Sequence, residues 1–466
     1  MTQPRLRSAL ALLLALPLAA AAQTASPGDG APADGKPAAG SAEASPPPAS
    51  AATPPAQPAK PAEAAKAPEA PKPLFTIYGT LNVNLQYTSA EGATDKTKNV
   101  KARTAVSPDS SNLGVKGAAD VGSGLQVVYQ CETSANVNGA GTSGICNRNS
   151  RIGLGSAAYG TLFYGNWDTP YKGTTFGTKA DDPFSNTDVF DFESILTSPG
   201  FNSKTNSWVS GPATPVTGFA VRANNTVAYH SPSLAGVSFK LAYGADYFKN
   251  PSGTQDPTLY SATLNYDRGP VSVGAGYERH EDGFALVGIN PATALAFGAT
   301  AANTAGSATA AIHSSDSAWH VSAGYELGWA AGVTTVGGVY EQLVLEQSKA
   351  AAGAVKKYDR FAWQVSLKHR TGNHELRARY SAADAGKATL QGGAAASAKG
   401  YGASDLAVGY AYYLAKNAQV YLHYTLIQNG QKAQYTFATA GAPDVAGKTP
   451  PGADPQAVGL GVRYSF

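Results

Sequence analysis

The chain has 466 residues, with 51 glycines, 24 tyrosines and one methionine, and its formal net charge is +3. This near-neutral balance gives no sign of a nucleic-acid partner. No run of eighteen apolar residues occurs, which excludes a membrane-spanning helix. A closed barrel of membrane strands escapes that test, because only every second residue of such a strand needs to be apolar.

The first residues have the pattern of a secretory signal peptide. Arg5 and Arg7 precede an apolar run from Ala9 to Ala22, and the small residues at 20–22 offer a cleavage site. This order of basic, apolar and small residues predicts a signal peptide over residues 1–22. The alternative is a short buried helix.

Residues 23–73 consist almost entirely of Ala, Pro, Gly, Lys, Glu and Ser. The segment lacks aromatic and branched aliphatic residues, so it cannot bury a core. We expect a disordered, partly polyproline-II spacer in the periplasm, which could contact the cell wall. A tail without a function is the alternative.

Apolar side chains alternate with small or polar ones in the last ten residues, Ala457 to Phe466, and in the stretch Leu74 to Thr88. Because a strand turns successive side chains to opposite faces, both stretches predict a sheet with one apolar and one wet face. A terminal strand of this kind would expose a free edge unless another strand covered it. We therefore expect the first and last strands to pair and to close a barrel over residues 74–466.

Short and long connections alternate between the predicted strands, which number about sixteen. Tight turns at one end and loops at the other are typical of outer-membrane barrels. The fold class predicted is therefore all-β, a transmembrane antiparallel β-barrel. A water-soluble sandwich is the alternative, but it would not need loops that alternate in length. The long connections cover residues 89–109, 134–149, 170–224, 248–257, 282–316, 346–358, 383–403 and 429–454.

Several hairpin segments resemble the general diffusion porins of Gram-negative bacteria, of the betaproteobacterial type. The resemblance implies a homotrimeric, sixteen-stranded channel in the outer membrane that passes ions and small hydrophilic solutes. It also implies that the third loop folds inward and narrows the lumen. The segments that carry the resemblance are Ser111–Gly117, Asp120–Gln130, Arg148–Gly155, Tyr159–Gly165, Arg222–Tyr229 and Ala457–Phe466.

The chain departs from the family pattern at a few positions. Asn112 and Asn166 stand where the family often has arginine, and Ala119 stands where it often has an acid. The third loop has Asp181–Ser185 in place of the usual Pro-Glu-Phe-Gly-type run. Pore width and selectivity therefore follow less directly from the resemblance than the fold does.

The longest connection carries acidic residues between aromatic ones. Phe184, Phe190 and Phe192 would anchor the loop on the inner wall and leave the carboxylates facing water, and an exposed acidic surface loop is the alternative. We expect the acidic side of a pore constriction to consist of Asp181, Asp182, Asp188, Asp191 and Glu193.

Strand parity sends a set of basic side chains to the lumen. We expect Arg151, Arg222, Arg377 and Arg379 to form the basic side of the constriction. For each of them the alternative is an ordinary solvated charge. A transverse field between opposed charges favours polar, charged solutes, and we expect a mild anion preference. The other predicted lumen charges lie near the short turns: Lys116, Lys240, Lys368, Arg370 and Arg463.

Cys131 and Cys146 are the only cysteines, and they flank a stretch rich in Gly, Asn and Ser. A chain that passes through an oxidising periplasm is expected to join such a pair in a disulfide at the base of a loop. No cluster of His or Cys has metal-ligand spacing, so we expect neither a metal nor a cofactor.

No nucleophile elbow, phosphate-binding loop or zinc-protease motif occurs, which argues against an enzyme. The function favoured is passive diffusion through a water-filled pore. A channel selective for one substrate is the alternative within this class. A membrane anchor or adhesin is the alternative from another class, although no recognisable wall-binding domain follows the leader.

Overall fold

The computed structural model describes residues 75–139, 144–185, 187, 189–191, 194–201, 218–219, 221–245, 256–283, 286, 297–301, 303, 312–437 and 449–466. All of them belong to the compact unit Leu74–Phe466. The predicted signal peptide at 1–22 and spacer at 23–73 lie outside the described residues and stay predictions. None of the helices in this part of the chain is long and apolar enough to cross a membrane.

The described residues form one antiparallel sheet of nineteen strands and one short 3₁₀ turn, Lys96–Lys98. The first ten strands are β1 Thr76–Glu91, β2 Val100–Ser107, β3 Asn112–Gly122, β4 Leu125–Ser134, β5 Ser150–Ser156, β6 Gly160–Asp168, β7 Arg222–His230, β8 Val237–Ala245, β9 Thr258–Arg268 and β10 Val271–Glu281. The others are β11 Ser315–Trp329, β12 Gly332–Glu346, β13 Val355–Thr371, β14 His374–Ala383, β15 Lys387–Leu390, β16 Ala395–Ala396, β17 Ala403–Ala415, β18 Ala418–Asn429 and β19 Asp454–Ser465.

These strands occupy sixteen positions around a closed barrel, as predicted. Strands β2 and β3 together fill one position, because β2 pairs with the end of β1 that precedes its loop and β3 pairs with the start of β1. Strands β15 and β16 form a small hairpin that extends β13 beyond β14. Strand β14 pairs with β17, the next strand after this hairpin, and each remaining strand between β3 and β19 pairs with its neighbours along the chain.

The barrel closes between β1 and β19, which confirms the pairing expected from the alternating ends. Twelve consecutive residue pairs join them, from Thr80 opposite Ser465 to Glu91 opposite Asp454. The two faces differ as the parity predicts: Leu460 is 61% exposed on the outer face, whereas Asn84 is 1% exposed on the inner face. The polar interior and the apolar exterior of the barrel therefore continue without a break across the seam.

The terminal Phe466 is bound into this seam by backbone hydrogen bonds with Gly79 in both directions, at 3.0 and 3.1 Å. A Cβ atom at position 79 would lie 2.7 Å from the Phe466 ring, so only glycine fits beside it. The aromatic C-terminus thus packs on a position without a side chain.

Several predicted loop boundaries were wrong; β13, for example, begins at Val355, inside the loop predicted at 346–358. The first loop, predicted at 89–109, is shorter because β1 and β2 remain paired as far as Ala90 opposite Val100. The segment predicted as loop at 383–403 contains the hairpin β15–β16. Where strands extend past the apolar layer, both of their faces meet water, so the alternation that marks a strand in the sequence is lost.

The predicted disulfide between Cys131 and Cys146 is present. It joins the end of β4 to the segment before β5, with a Cα–Cα distance of 4.7 Å and a sequence separation of 15. Next to it, the Arg148 Nε donates to Glu132 Oε1 at 2.8 Å. Two independent links therefore hold the base of this loop.

We expect the double variant Cys131→Ser/Cys146→Ser to fold but to unfold at lower urea concentration, with a loss of about 3 kcal/mol. The loss arises because a closed loop of this size restricts the unfolded chain. Urea titration in detergent, followed by tryptophan fluorescence, measures it. Wild-type protein with reductant should reproduce the shift, and equal midpoints for variant and wild type would contradict it.

Candidate functional site: the charged inner wall of the barrel

The connection between β6 and β7, residues 169–221, packs its described part against the inner face of the barrel; we call it the long loop. Glycines on neighbouring strands make room for its backbone. A Cβ atom at Gly324 would lie 2.2 Å from the carbonyl carbon of Lys179, and one at Gly337 would lie 3.1 Å from the Ala180 Cα. At Gly459 it would lie 3.0 Å from the Phe190 ring. Close approach of backbone explains glycine inside these strands.

Arg379 on β14 anchors the tip of the long loop. Its Nη1 donates to Asp182 Oδ2 at 2.7 Å and to the carbonyl of Phe190 at 2.5 Å, and its Nη2 donates to Asp405. The side chain is 1% exposed. One guanidinium thus joins a wall carboxylate to the loop, which uses the fixed fork of donors that only arginine has.

A second buried arginine holds the far end of the long loop. Arg360 on β13 donates to the carbonyl of Ser198 at 2.8 Å and to Glu341 on β12 at 2.8 Å. Glu341 in turn accepts the backbone N–H of Thr197 at 2.9 Å and the Tyr171 hydroxyl at 2.7 Å. Because both charges are buried, each depends on the other for its hydrogen bonds.

Aromatic side chains of the long loop supply the apolar part of the contact. Phe184 and Phe190 are fully buried, and both meet His423 of β18 edge-on, at centroid distances of 5.1 and 5.3 Å. Near the other end of the loop, Phe201 packs on Tyr358 at 4.9 Å. The sequence predicted aromatic anchors at Phe184 and Phe190, whereas Phe192 lies outside the described residues.

The predicted acidic residues occupy different environments. Asp182 is in direct contact with Arg379 rather than separated from it by an open lumen. Asp181 is half-buried, accepts the Ser185 hydroxyl at 2.7 Å and accepts the Gly177 N–H at 3.1 Å. Asp191 lies within electrostatic range of Arg379. Asp188 and Glu193 lie outside the described residues.

The predicted basic residues also divide into groups. Arg377 is buried and donates to Glu375 at 2.7 Å and to Gln419 at 3.0 Å. Arg222 pairs with Asp168, 3.1 Å away. Arg151 has no carboxylate partner among the described residues and lies over two aromatic rings. Whether these four arginines form a constriction stays a prediction.

The other predicted lumen charges lie on the inner face. Lys116 is exposed, with its Nζ 4.6 Å from the Tyr78 ring centroid. Arg370 lies 3.8 Å from the Tyr413 centroid. The remaining three, Lys240, Lys368 and Arg463, keep partial or full exposure.

The sequence reasoning did not single out several charged residues that shape this wall. Asp109 turns inward between β2 and β3 and accepts hydrogen bonds from Asn84 at 2.7 Å and from the Tyr421 hydroxyl at 2.9 Å. A usable signal existed for Arg360 and Glu341, since each shares strand parity with other inward residues. For Asp109, which follows Pro108 in a break between strands, parity offers no signal. The residues missed are Asp109, Arg148, Asp168, Glu341, Arg360 and Asp405.

Most contacts of the long loop with the wall fall on β9 to β19, and Lys172 also pairs with Asp168 at the end of β6, 3.8 Å away. The inner face of β3 to β8 instead carries Lys116, Arg151, His230 and Lys240, all with some exposure. The barrel interior therefore has one side covered by the loop and an opposite side that is basic. A closed antiparallel barrel with an apolar exterior and a loop folded onto a charged interior defines the class of outer-membrane channel barrels.

The chain matches the family model for Gram-negative porin over residues 9–432, and it belongs to that family. Among curated relatives, major outer membrane protein P.IB of Neisseria gonorrhoeae is 30% identical over 198 residues, which cover 41% of this chain and 47% of that protein. P.IB of Neisseria lactamica is 30% identical over 217 residues, covering 45% and 55%. The chain thus matches about half the length of these relatives.

Solved structures share the fold. An anion-selective porin from Comamonas acidovorans superposes with a TM-score of 0.62 at 18% identity, covering 84% of this chain and 99% of that one. The trimer form of OmpT from Vibrio cholerae gives 0.52 at 17% identity, covering 84% and 99%. The family and its relatives place this protein in the outer membrane of a Gram-negative bacterium.

We expect the ion preference of the channel to change near pH 6, because burial raises the pKa of Asp181 to about 6. Above that pH the carboxylate is charged, and below it the lumen has one negative charge fewer, so anion preference should rise as pH falls from 7.5 to 5. The raised pKa means that the docked loop favours the neutral form of Asp181. Protonation of Asp181 below pH 6 therefore also stabilises the docked loop. Reversal potentials in a KCl gradient measure the change.

The matched control for this pH dependence is Asp181→Asn, which removes the titrating group and keeps an accepting oxygen. The reversal potential of this variant should change less between pH 7.5 and pH 5 than that of the wild type, because Asp181 no longer titrates. A variant whose reversal potential changes with pH as much as the wild type would contradict the assignment.

Proposed function

We propose that this protein forms a water-filled channel for the passive diffusion of ions and small hydrophilic solutes across the outer membrane. The observation that carries the proposal is the division of the barrel interior. The long loop is bound to β9–β19 by buried arginines, and the partly exposed inner face of β3–β8 faces it from the other side. A barrel of sixteen strands encloses enough space for an aqueous path.

We further propose a mild anion preference and a role for the inner-wall charges in it. Several cations on the inner face have no carboxylate partner among the described residues, namely Lys116, Arg151 and Lys240. By contrast, Asp182, Asp168 and Glu132 are each paired with an arginine. Uncompensated positive charge along a low-dielectric path raises the local concentration of anions. The Comamonas relative, described as anion-selective, is consistent with this preference.

Planar-bilayer recording of the purified protein tests the channel. The expected result is stepwise conductance, with a reversal potential in a KCl gradient that favours chloride. Absence of steps, with correctly folded protein, would leave the anchor or adhesin hypothesis. A potential that favours potassium would refute the anion preference and leave the channel standing.

The proposed assembly is a homotrimer, supported by the trimer form of the Vibrio OmpT. Native mass spectrometry from detergent should give three times the mass of the mature chain. The same measurement reports the mass of one chain, and this tests removal of residues 1–22. A stable monomer that conducts in single steps would argue against the trimer.

A further inference from the structure

The inner face of β5 to β8 carries a basic and aromatic cluster, which we call the arginine shelf: Arg151, Phe163, Trp167, His230 and Lys240. The Arg151 guanidinium carbon lies 4.8 Å from the Phe163 centroid and 4.5 Å from the Trp167 centroid. The His230 ring packs on Phe163 at 5.0 Å and on Trp167 at 6.3 Å. Phe163 is fully buried, whereas the other four keep part of their surface exposed.

The strand register and two glycines build the shelf. Arg151 pairs with Gly165 and Phe163 pairs with Gly153, so each large side chain has a neighbour without one. A Cβ atom at Gly153 would lie 2.5 Å from the Phe163 Cβ, which leaves no alternative to glycine. His230 pairs with Lys240 across β7 and β8, and this places a second cation on the same face.

Arg151 differs from three other arginines of the inner wall in its partners. Arg148, Arg222 and Arg377 are each bound to a carboxylate. Arg151 has no such partner among the described residues, and its Nε is buried without a hydrogen bond. Aromatic faces hold the guanidinium plane in place, and the two Nη groups have no hydrogen bond to the described residues, which leaves them available for an anion.

We infer that the arginine shelf is a binding site for small aromatic carboxylates that pass through the channel, an inference that rests on the proposed function. The carboxylate would bind the guanidinium edge of Arg151 through two N–H donors. The flat ring would pack on the exposed parts of Trp167 and His230. Lys240, the cross-strand partner of His230, adds attraction on the side of the short turn between β7 and β8. Such a site binds weakly enough to release the solute again, as conduction requires.

Benzoate is the probe, with acetate as an anion of equal charge without a ring. In planar-bilayer recordings of the wild type we expect benzoate to reduce chloride current saturably and at lower concentration than acetate. Arg151→Gln should raise the half-blocking benzoate concentration about tenfold, as expected for a lost charge-assisted hydrogen bond. Trp167→Leu should weaken benzoate about threefold and leave acetate unchanged, because only the ring loses its partner.

The control variant is Arg463→Gln, which removes one inner-wall charge on β19, on the opposite side of the seam. An equal loss of benzoate block in Arg463→Gln and Arg151→Gln would overturn the site, since a diffuse field would then explain both. An open wild-type channel with no saturable block would overturn it as well. If Trp167→Leu fails to fold, Lys240→Gln provides the second variant, with a smaller loss expected for both anions.

Isothermal titration of benzoate into detergent-solubilised protein separates this inference from the proposed function. If the wild type shows no conductance but binds benzoate, and Arg151→Gln does not bind it, the proposed channel is wrong and the proposed binding site stands. If the wild type conducts but binds no benzoate, the proposed channel stands and the proposed binding site is wrong.

Discussion

Replacing Arg379 with glutamine should release the tip of the long loop and raise single-channel conductance. The substitution leaves Asp182 and Asp405 buried without their shared cation. Breaking a buried ion pair from one side typically costs about 3–5 kcal/mol. A loss of that size lowers the docked population of the loop by a factor of ~10² or more. Single-channel recording at fixed salt measures the change in conductance.

Arg370→Gln is the matched control for this prediction. It removes the same charge at a half-buried position of β13, where the side chain stacks on Tyr413 and makes no hydrogen bond or ion pair with the described part of the loop. Asp182→Asn weakens the same anchor from the loop side and should raise conductance less, because it leaves Arg379 paired with Asp405. Unchanged conductance in correctly folded Arg379→Gln would show that other contacts suffice to hold the loop.

An arginine in place of Leu460 should destabilise the barrel by about 2–4 kcal/mol, the cost measured for such a charge at the centre of a membrane face. Leu460 lies in the middle of β19, opposite Leu85 and Leu422, on the face that the closed sheet turns toward lipid. The measurement is urea unfolding in lipid vesicles.

The control for the lipid-facing charge is Ala118→Arg, on the exposed inner face of β3. We expect its midpoint to stay close to that of the wild type, because the new charge meets water. Equal midpoints for Leu460→Arg and Ala118→Arg would contradict the assignment of the two faces.

Much of the barrel could be predicted because its signals are local. The alternation in Ala457–Phe466 predicted both the inner and the outer face of β19, and the same pattern predicted its pairing with β1. The cysteine pair was predicted from its spacing and compartment alone. Prediction failed where strands leave the apolar layer, as at β2 and at the hairpin β15–β16.

The candidate site could be predicted only in part. Opposite charge on the long loop and on the wall was evident, but the direct contact between Asp182 and Arg379 joins residues 197 positions apart. No local pattern reports such a distance. The break at Asp109, which places a buried carboxylate against Tyr421, likewise depends on a partner 312 positions away.

By itself, the sequence determined that alternate residues of each strand would be apolar, and hence that the sheet would have one apolar face and one polar face. The membrane core has no water to satisfy the backbone N–H and C=O groups, so a sheet can cross it only as a closed barrel in which every strand is paired. The tertiary structure alone decided which lumen charges are neutralised and which remain available. That choice depends on pairings within the wall, such as Arg222 with Asp168, and on where the long loop binds. Arg360 and Arg379 donate hydrogen bonds to the loop, and glycines of distant strands leave room for its backbone.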